Sequence, residues 1–465
     1  MNKQKKALNP YLLVILSFVA IIFIGAVLLM MPFSRTAHNF GDFVDSLFLA
    51  TSATCVTVLN SFKQVIGGTT AELTFAGQVI LIALIQIGGL GFVTLLTFFI
   101  TLFYRKLQFK DRLLLSVMVN SEEAAEVVSF VRKIILISFS FEVFGFLLGL
   151  PVFLSSCNNV PEALWYSLFH SVSAYNNAGF DLFGSSSLVR GAGASEFINN
   201  MPTWAYYYMC SYIMFLIVAG GISFVVVIDI FTKRKFKQFR VFTKISLMMT
   251  GILLALGFVV FFASEGFKSP FNALFQSVTC RTAGFATTDQ DGLSVLGKSF
   301  SCFLMFFGGN PLGTAGGVKT TTLYIIVLAM ICYLARRNKV SSFHRRYSNE
   351  VIVKAMSLVL LAVATIFISF IAIYLFENKN SDITALGLKS TVPAALIYEV
   401  FSAFGTVGVS TGVTPYLTVG SKLVICILMF IGRLGPITFF QLLGSKMRFD
   451  DKSKYHYVEE DFLIG

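Results

Sequence analysis

Runs of close to twenty apolar residues recur along this chain, at 11–31, 134–154, 245–264 and 351–376 among others. A helix of about that length crosses the roughly 30 Å of hydrocarbon in a bilayer. A water-soluble domain has nowhere to put so many such helices, so lipid is the solvent for most of the chain. Composition agrees: 56% of residues are hydrophobic, 13% are charged, and the mean hydropathy is +0.78. The start, with Lys3, Lys5 and Lys6 ahead of the run at 11–31, has the order of a secretory signal. That run exceeds a signal's apolar region and the chain stays hydrophobic after it, so it reads as an uncleaved first helix.

The formal charge of +12 would suit a nucleic-acid binder, but the positions of the cations argue against one. Most Lys and Arg fall in five short stretches, at 1–10, 105–133, 233–244, 336–354 and 446–454. The intervening polar stretches carry mainly acids, among them Asp42, Asp45, Glu162, Asp181, Glu196, Glu265, Asp289 and Asp382. This is the positive-inside pattern, which places both termini and the three basic loops in the cytoplasm of a cell inner membrane, with no nucleic-acid role. The seven cysteines form no C-x-x-C pair, so neither a disulfide framework nor a metal site is indicated.

With the basic loops as boundaries, the chain divides into 1–104, 132–232, 243–335 and 351–446. Cytoplasmic loops lie at 105–131, 233–242 and 336–350, and a cytoplasmic tail at 447–465. Each block repeats one plan. A long apolar helix comes first, then a segment too short to span (43–54, 162–174, 270–279 or 394–404), then a small-residue loop and a second long apolar helix (77–104, 204–231, 296–334 or 423–446). That is the layout of a potassium-channel pore unit, four copies of which make a pore on one chain. The expected fold is therefore an all-α polytopic membrane protein, pseudo-fourfold, of four helix–pore-helix–loop–helix repeats around one central pore.

Aligned on one another, the four loops read Cys55-Val56-Thr57-Val58-Leu59, Asn176-Asn177-Ala178-Gly179-Phe180, Arg281-Thr282-Ala283-Gly284-Phe285 and Gly405-Thr406-Val407-Gly408-Val409. Irregular backbone survives at membrane depth only where protein or a water-lined cavity satisfies it. A cation that sheds its water needs oxygens in exchange, and a ring of backbone carbonyls offers them without fixed charge. Glycine permits the turn that aims carbonyls inward. The expected ion-binding residues are Val56, Thr57, Val58, Asn177, Ala178, Gly179, Thr282, Ala283, Gly284, Thr406, Val407 and Gly408. No carboxylate lies among them, which disfavours a calcium or magnesium site. The competing reading, packing turns between helices, leaves the fourfold recurrence unexplained.

Further motifs join these loops: Gln86-Ile87-Gly88-Gly89-Leu90-Gly91-Phe92, Thr279-Cys280 ahead of the third loop, Gly316-Gly317-Val318-Lys319-Thr320-Thr321-Thr322 and Gly432-Arg433-Leu434-Gly435-Pro436-Ile437-Thr438. With them, essentially the whole chain resembles the Trk/Ktr superfamily of potassium-uptake membrane subunits, related to fungal Trk and plant HKT transporters. The resemblance implies a pore encoded by one chain, a homodimer, and regulation by a separate cytosolic nucleotide-binding subunit of the RCK type. Potassium is then the transported ion, and no cofactor belongs to this chain. In that family the position of Val58 is normally glycine, and plant relatives with serine there tend to favour sodium.

The segment 296–334 is too long for one span and is interrupted by Gly308-Gly309-Asn310-Pro311-Leu312-Gly313-Thr314-Ala315-Gly316-Gly317, which marks a broken helix. Residues 313–320 nearly spell a phosphate-binding loop, but Val318 replaces its second glycine and no strand precedes it. The resemblance implies instead a gate beneath the filter, formed by Gly313, Thr314, Ala315, Gly316, Gly317 and Lys319, with Arg433 helping to obstruct the path. Close helix packing through small residues is the alternative for the loop, and a side chain reaching to the cytoplasm is the alternative for Lys319. Arg281 is expected to turn away from the pore and pair with an acid such as Asp289. His170 is expected to be a packed or capping residue, and Glu142 either paired or facing water.

Valine resists positive φ, so Val58 is expected to turn or displace the first loop's carbonyls. The expected function is potassium uptake, with a potassium/sodium transporter of relaxed selectivity as the alternative and an ammonium or other monovalent-cation transporter as the second. An enzyme is not expected, because the chain has no H-E-x-x-H, paired-aspartate or Ser/His arrangement at matched depth.

Overall fold

The computed structural model describes residues 10–61, 73–91, 124–183, 187–191, 195–266, 268–337 and 339–435. The N-terminal residues 1–9, most of the loop proposed at 105–131, the far halves of the helices proposed at 77–104 and 423–446, and the tail 447–465 lie outside them. The described residues are mostly helical, and the only strands among them are the two-residue pair Ser341–Ser342 and Arg345–Arg346.

The first repeat comprises α1 (Pro10–Met30), α2 (Phe43–Cys55) and α3 (Phe75–Leu90). The second has α4 (Ala124–Ser156), α5 (Val160–Tyr175), α6 (Thr203–Gly221) and α7 (Phe224–Lys233). The third has α8 (Val241–Ser264), α9 (Pro270–Thr279), α10 (Val295–Phe306) and α11 (Thr320–Leu334), and the fourth has α12 (Asn349–Glu377), α13 (Val392–Gly405) and α14 (Val419–Leu434). Within α4, Ser129–Ser156 is long and apolar enough to cross a membrane, as are α6, α8 and α12.

Burial is inverted relative to a water-soluble protein. Leu360, Phe367, Ile368 and Leu375 of α12 are 62–71% exposed, whereas Ser52, Thr54, Thr57, Ser167, Ser171 and Ser173 are fully buried. In water so broad an apolar face would drive aggregation; against lipid it is the outer wall. The polar interior packs around the short helices. Serines on these helices donate to carbonyls of the preceding long helix: Ser167 Oγ to Phe146 O at 2.6 Å, Ser171 Oγ to Glu142 O at 2.5 Å and Ser277 Oγ to Leu254 O at 2.9 Å. Gly145, Gly149 and Gly257 face Ser171, Ser167 and Ser277, so small residues let the helices approach closely.

The starts of the short helices are chemically marked. The Asp42 carboxylate caps α2 through Val44 N and Asp45 N, Ser269 Oγ caps α9 through Asn272 N, and a proline opens α5, α9 and α13. Their carboxyl ends lead directly into the four loops.

The second long helix of repeat 2, expected unbroken over 204–231, is interrupted at Ile222 and Ser223. Ile222 is extended (φ −77°, ψ 135°) and Ser223 caps α7. The cause is non-local: the Gly220 and Gly221 carbonyls and the Phe224 amide bond to the 307–319 loop.

In the loop between α9 and α10, repeats 3 and 4 are tied at Asp291. It accepts from Ser390 Oγ (2.5 Å), Lys389 N (2.6 Å) and Lys298 Nζ (3.2 Å). Burial alone would raise this carboxyl, but those donors outweigh it and hold its pKa below the ordinary aspartate value. A folded pKa below the unfolded one stabilises the fold above the unfolded value, about 3.9, and that stabilisation is lost as pH falls through the folded one. Acidification from pH 5 to 3 is therefore expected to lower the melting temperature of the detergent-solubilised protein, and Asp291→Asn to lower it at pH 7 and flatten that acid limb. An acid limb unchanged by the substitution would assign the sensitivity elsewhere.

Candidate functional site

The four loops meet. Gly179 lies against the carbonyl oxygen of Ala283, Gly284 against that of Val407, and Gly408 against that of Thr57, each so closely that a methyl group there would collide. Loops 2, 3, 4 and 1 thus follow one another around a ring. In each loop two residues spaced two apart have left-handed backbone: Val56 (φ 60°) and Val58 (67°), Asn177 (58°) and Gly179 (65°), Thr282 (77°) and Gly284 (85°), Thr406 (51°) and Gly408 (93°). Alternating the hand of successive residues turns neighbouring carbonyls to the same side, where an extended strand would alternate them. All twelve residues expected at the filter sit in this ring.

Loop conformation is set at the helix ends. After α2 and α13 the next two amides fold back to the last turn, Val56 N to Ala53 O (3.1 Å) and Thr57 N to Ser52 O (2.8 Å) and the matching pair from Thr406 and Val407, and one residue beyond α5 Asn177 and Ala178 do the same. Each helix carboxyl end carries roughly half a negative charge, and four such ends lead into the ring, a favourable setting for a cation. Hydroxyls brace three loops from behind: Ser173 Oγ donates to Phe180 O (2.6 Å), Thr279 Oγ1 donates to Phe285 O (2.5 Å), and Ser402 Oγ accepts from Gly408 N (2.9 Å). In loop 1, Ser52 Oγ has no hydrogen-bond partner among the described residues.

Val58 departs from expectation. It is not pushed out of the pattern but holds the φ of its three glycine counterparts. The α2 end bonds fix the backbone, and the glycines opposite and beside it make room for the isopropyl group. A Cβ on Gly284 would fall 2.9 Å from Val58 Cγ2, and one on Gly408 would fall 2.6 Å from Val58 Cβ. Left-handed valine costs about 1–3 kcal/mol, and the isopropyl reaches from the first corner toward the third.

Beneath the ring lies the interruption between α10 and α11, which the sequence located. The stretch Phe307–Lys319 is pinned on several sides. Asn310 N and Thr314 N donate to Gly221 O and Gly220 O (3.2 Å each), Leu312 O accepts from Phe224 N (2.9 Å), Thr314 Oγ1 donates to Tyr175 O (3.3 Å), and Gly317 N donates to Gly432 O (3.3 Å). Gly316 is pressed against Thr406 and Gly308 against Thr282, so the loop abuts two ring corners directly. Arg433 donates to the carbonyls of Thr314, Gly88 and Gly89, linking the loop to the end of α3. All seven expected gate residues are in or on this assembly. Lys319 does not extend to the cytoplasm: Nζ turns back onto Ala315 O at 2.6 Å.

The expected Arg281–Asp289 pair does not form. Asp289 lies farther along the loop, just before α10, and binds Lys389 Nζ (2.8 Å), whereas the buried Arg281 follows the carboxyl end of α9 directly and reaches Gly308 O (3.4 Å). His170 is packed as expected: it stacks on Phe183 (4.2 Å), bonds Tyr166 O through Nδ1 (2.7 Å) and accepts from Leu182 N at Nε2 (3.3 Å). Its role is shared by residues that sequence reading passed over. At the matching place on α9, Gln276 pairs with Gln290 (2.7 Å). On α13, buried Glu399 accepts from Ser410 Oγ, Thr411 N, Thr411 Oγ1 and Thr414 Oγ1 at 2.7–3.1 Å. Each side chain anchors the segment leaving its ring corner, and Leu49 holds that place on α2. Three chemically unlike residues leave no motif; the only signal is that each is polar inside a short apolar helix.

Comparison with known proteins bears on the same residues. A family described as TrkH, cation transport protein, matches residues 1–452. The potassium/sodium uptake protein NtpJ of Enterococcus hirae is 33% identical over 477 residues, covering 100% of this chain and 99% of that protein. The Ktr system potassium uptake protein B of Bacillus subtilis is 34% identical over 468 residues, covering 98% and 96%. Among solved structures, the potassium transporter TrkH from Vibrio parahaemolyticus superposes with a TM-score of 0.69 at 17% identity, covering 96% of this chain and 87% of that one, a likeness of fold.

Proposed function

The chain belongs to the TrkH family of cation transport proteins, and from that premise we propose that it carries potassium into the cell through the carbonyl ring of its four loops. One observation carries the reading: eight left-handed residues, two in each loop, at matched places where the four loops meet at the carboxyl ends of the short helices. Carbonyls replace the hydration shell of a weakly hydrated cation, and no carboxylate in the ring attracts a divalent one. Phe307–Lys319 and Arg433 form the gate, lying across the path below the ring. The protein works as a homodimer in the bacterial plasma membrane, with its termini and basic loops in the cytoplasm. There a separate RCK-type nucleotide-binding subunit docks on basic stretches such as 233–242; the B. subtilis relative is likewise named as part of a Ktr system.

A relaxed potassium/sodium selectivity is the second reading, favoured by the Val58 side chain within the ring and by the potassium/sodium description of the E. hirae relative. Rubidium uptake into vesicles holding the purified protein, competed by potassium and by sodium, tests both. Competition by potassium well below the sodium concentration supports the first, and near-equal competition the second. Uptake no faster than in empty vesicles overturns both.

A further inference from the structure

Glu142 sits midway along the spanning helix α4, only 4% exposed, and neither the ring nor the gate accounts for it. A carboxyl at that depth is expensive and is retained where it has a task. Its Oε1 accepts from Gln86 Nε2 on α3 (2.8 Å) and from Asn176 Nδ2 at the end of α5 (3.1 Å), and Asn176 Nδ2 also reaches Gln86 Oε1 (3.0 Å). Glu142 and Gln86 otherwise face an apolar recess of about 690 Å³ lined by residues such as Ile82, Phe139 and Leu168. The triad therefore supplies the polar environment of the carboxyl among the described residues.

Both partners lie beside working parts. Asn176 directly precedes Asn177, the first left-handed residue of the second ring corner. Gln86 lies one turn or less before Gly88 and Gly89, whose carbonyls hold Arg433, and Gly89 is pressed against the Asn176 side chain. We propose that Glu142 is a positioning residue for cation selectivity: by holding Asn176 against Gln86, it fixes the second corner of the ring relative to the end of α3. The proposal rests on the carbonyl-ring reading above. The carboxyl acts through a single oxygen that accepts two amide bonds, a geometry that glutamine reproduces and leucine does not.

The test is the rubidium-to-sodium flux ratio in vesicles containing equal amounts of folded protein. Glu142→Leu is expected to lower the ratio about tenfold, which converts to roughly 1.4 kcal/mol. Glu142→Gln is expected to keep it within about twofold of the unaltered protein. Asn176→Leu should match Glu142→Leu, and the double variant should lose no more than either alone, because interacting residues depart from additivity. If Glu142→Leu does not fold, Gln86→Met interrupts the same triad from α3 and is expected to give the same loss. An unchanged ratio in folded Glu142→Leu or Gln86→Met, a Glu142→Gln ratio as low as that of Glu142→Leu, or additive losses in the double variant would each overturn the proposal. The unaltered protein reports separately on the carbonyl ring: if it takes up rubidium no faster than empty vesicles, that reading fails, whereas the unaltered protein's ratio kept in every variant removes Glu142 alone.

Discussion

Val58→Gly is expected to raise the rubidium-to-sodium flux ratio about tenfold, or roughly 1.4 kcal/mol of differential stabilisation. The isopropyl group faces Gly284 across the ring and Gly408 beside it, so on the proposed carbonyl-ring reading it narrows the space an ion would use. Sodium, which retains water more readily, suffers less from a narrowed or lopsided ring than potassium does. Glycine at this place also removes a left-handed valine, so the variant should fold at least as well. The reverse substitution is expected to be severe. A Cβ on Gly284 would lie 2.6 Å from Val407 O and 2.9 Å from Val58 Cγ2, leaving no room for a second valine, and Gly284→Val should lose potassium transport nearly completely. Competitive rubidium uptake measures both. A ratio unmoved by Val58→Gly would remove the first loop from the selectivity element.

On the proposed gate reading, shortening the loop at Gly313–Gly317 is expected to raise rubidium flux about tenfold and weaken its dependence on the proposed cytosolic subunit, since roughly 1.4 kcal/mol of blocking contacts converts to that factor. The loop is held by backbone bonds to Gly220, Gly221, Phe224 and Gly432, and by Arg433 bridging Thr314 to the carbonyls of Gly88 and Gly89. Arg433→Ala breaks only the bridge, so its gain should be smaller, about two- to threefold. Flux unchanged in folded variants would assign the loop to packing.

The parts legible in the sequence are those encoded locally. The short helices match their expected segments to within a few residues, because each is an apolar stretch too short to span that ends in a small-residue loop, and the structure adds a capping Asp42 or Ser269, or an opening proline, at each start. The break between α10 and α11 was visible in its glycines and Pro311. The break after Gly221 was not read, although Gly220, Gly221 and Ser223 hint at it. The amides that take up the freed carbonyls belong to Asn310 and Thr314, some ninety residues on. Arg281 was misassigned for the same reason: charge suggested Asp289, but depth decides, and the two leave α9 and its loop at opposite ends. Val58 shows the limit of local propensity, since a residue that avoids positive φ adopts it when helix-end bonds fix the backbone and neighbouring glycines yield space.

The order of neighbours around the ring has a consequence for biogenesis. The first corner is joined to the fourth, where Gly408 rests on the Thr57 carbonyl and Lys422 of α14 meets Asp45 of α2 at 2.7 Å. Those partners are separated by most of the polypeptide, so the earliest corner to leave the ribosome waits for the last to be synthesised. Until then its carbonyls have no neighbour on that side. A chain stalled after its third repeat carries only three corners, so arrested synthesis yields a membrane-inserted fragment whose ring cannot be completed.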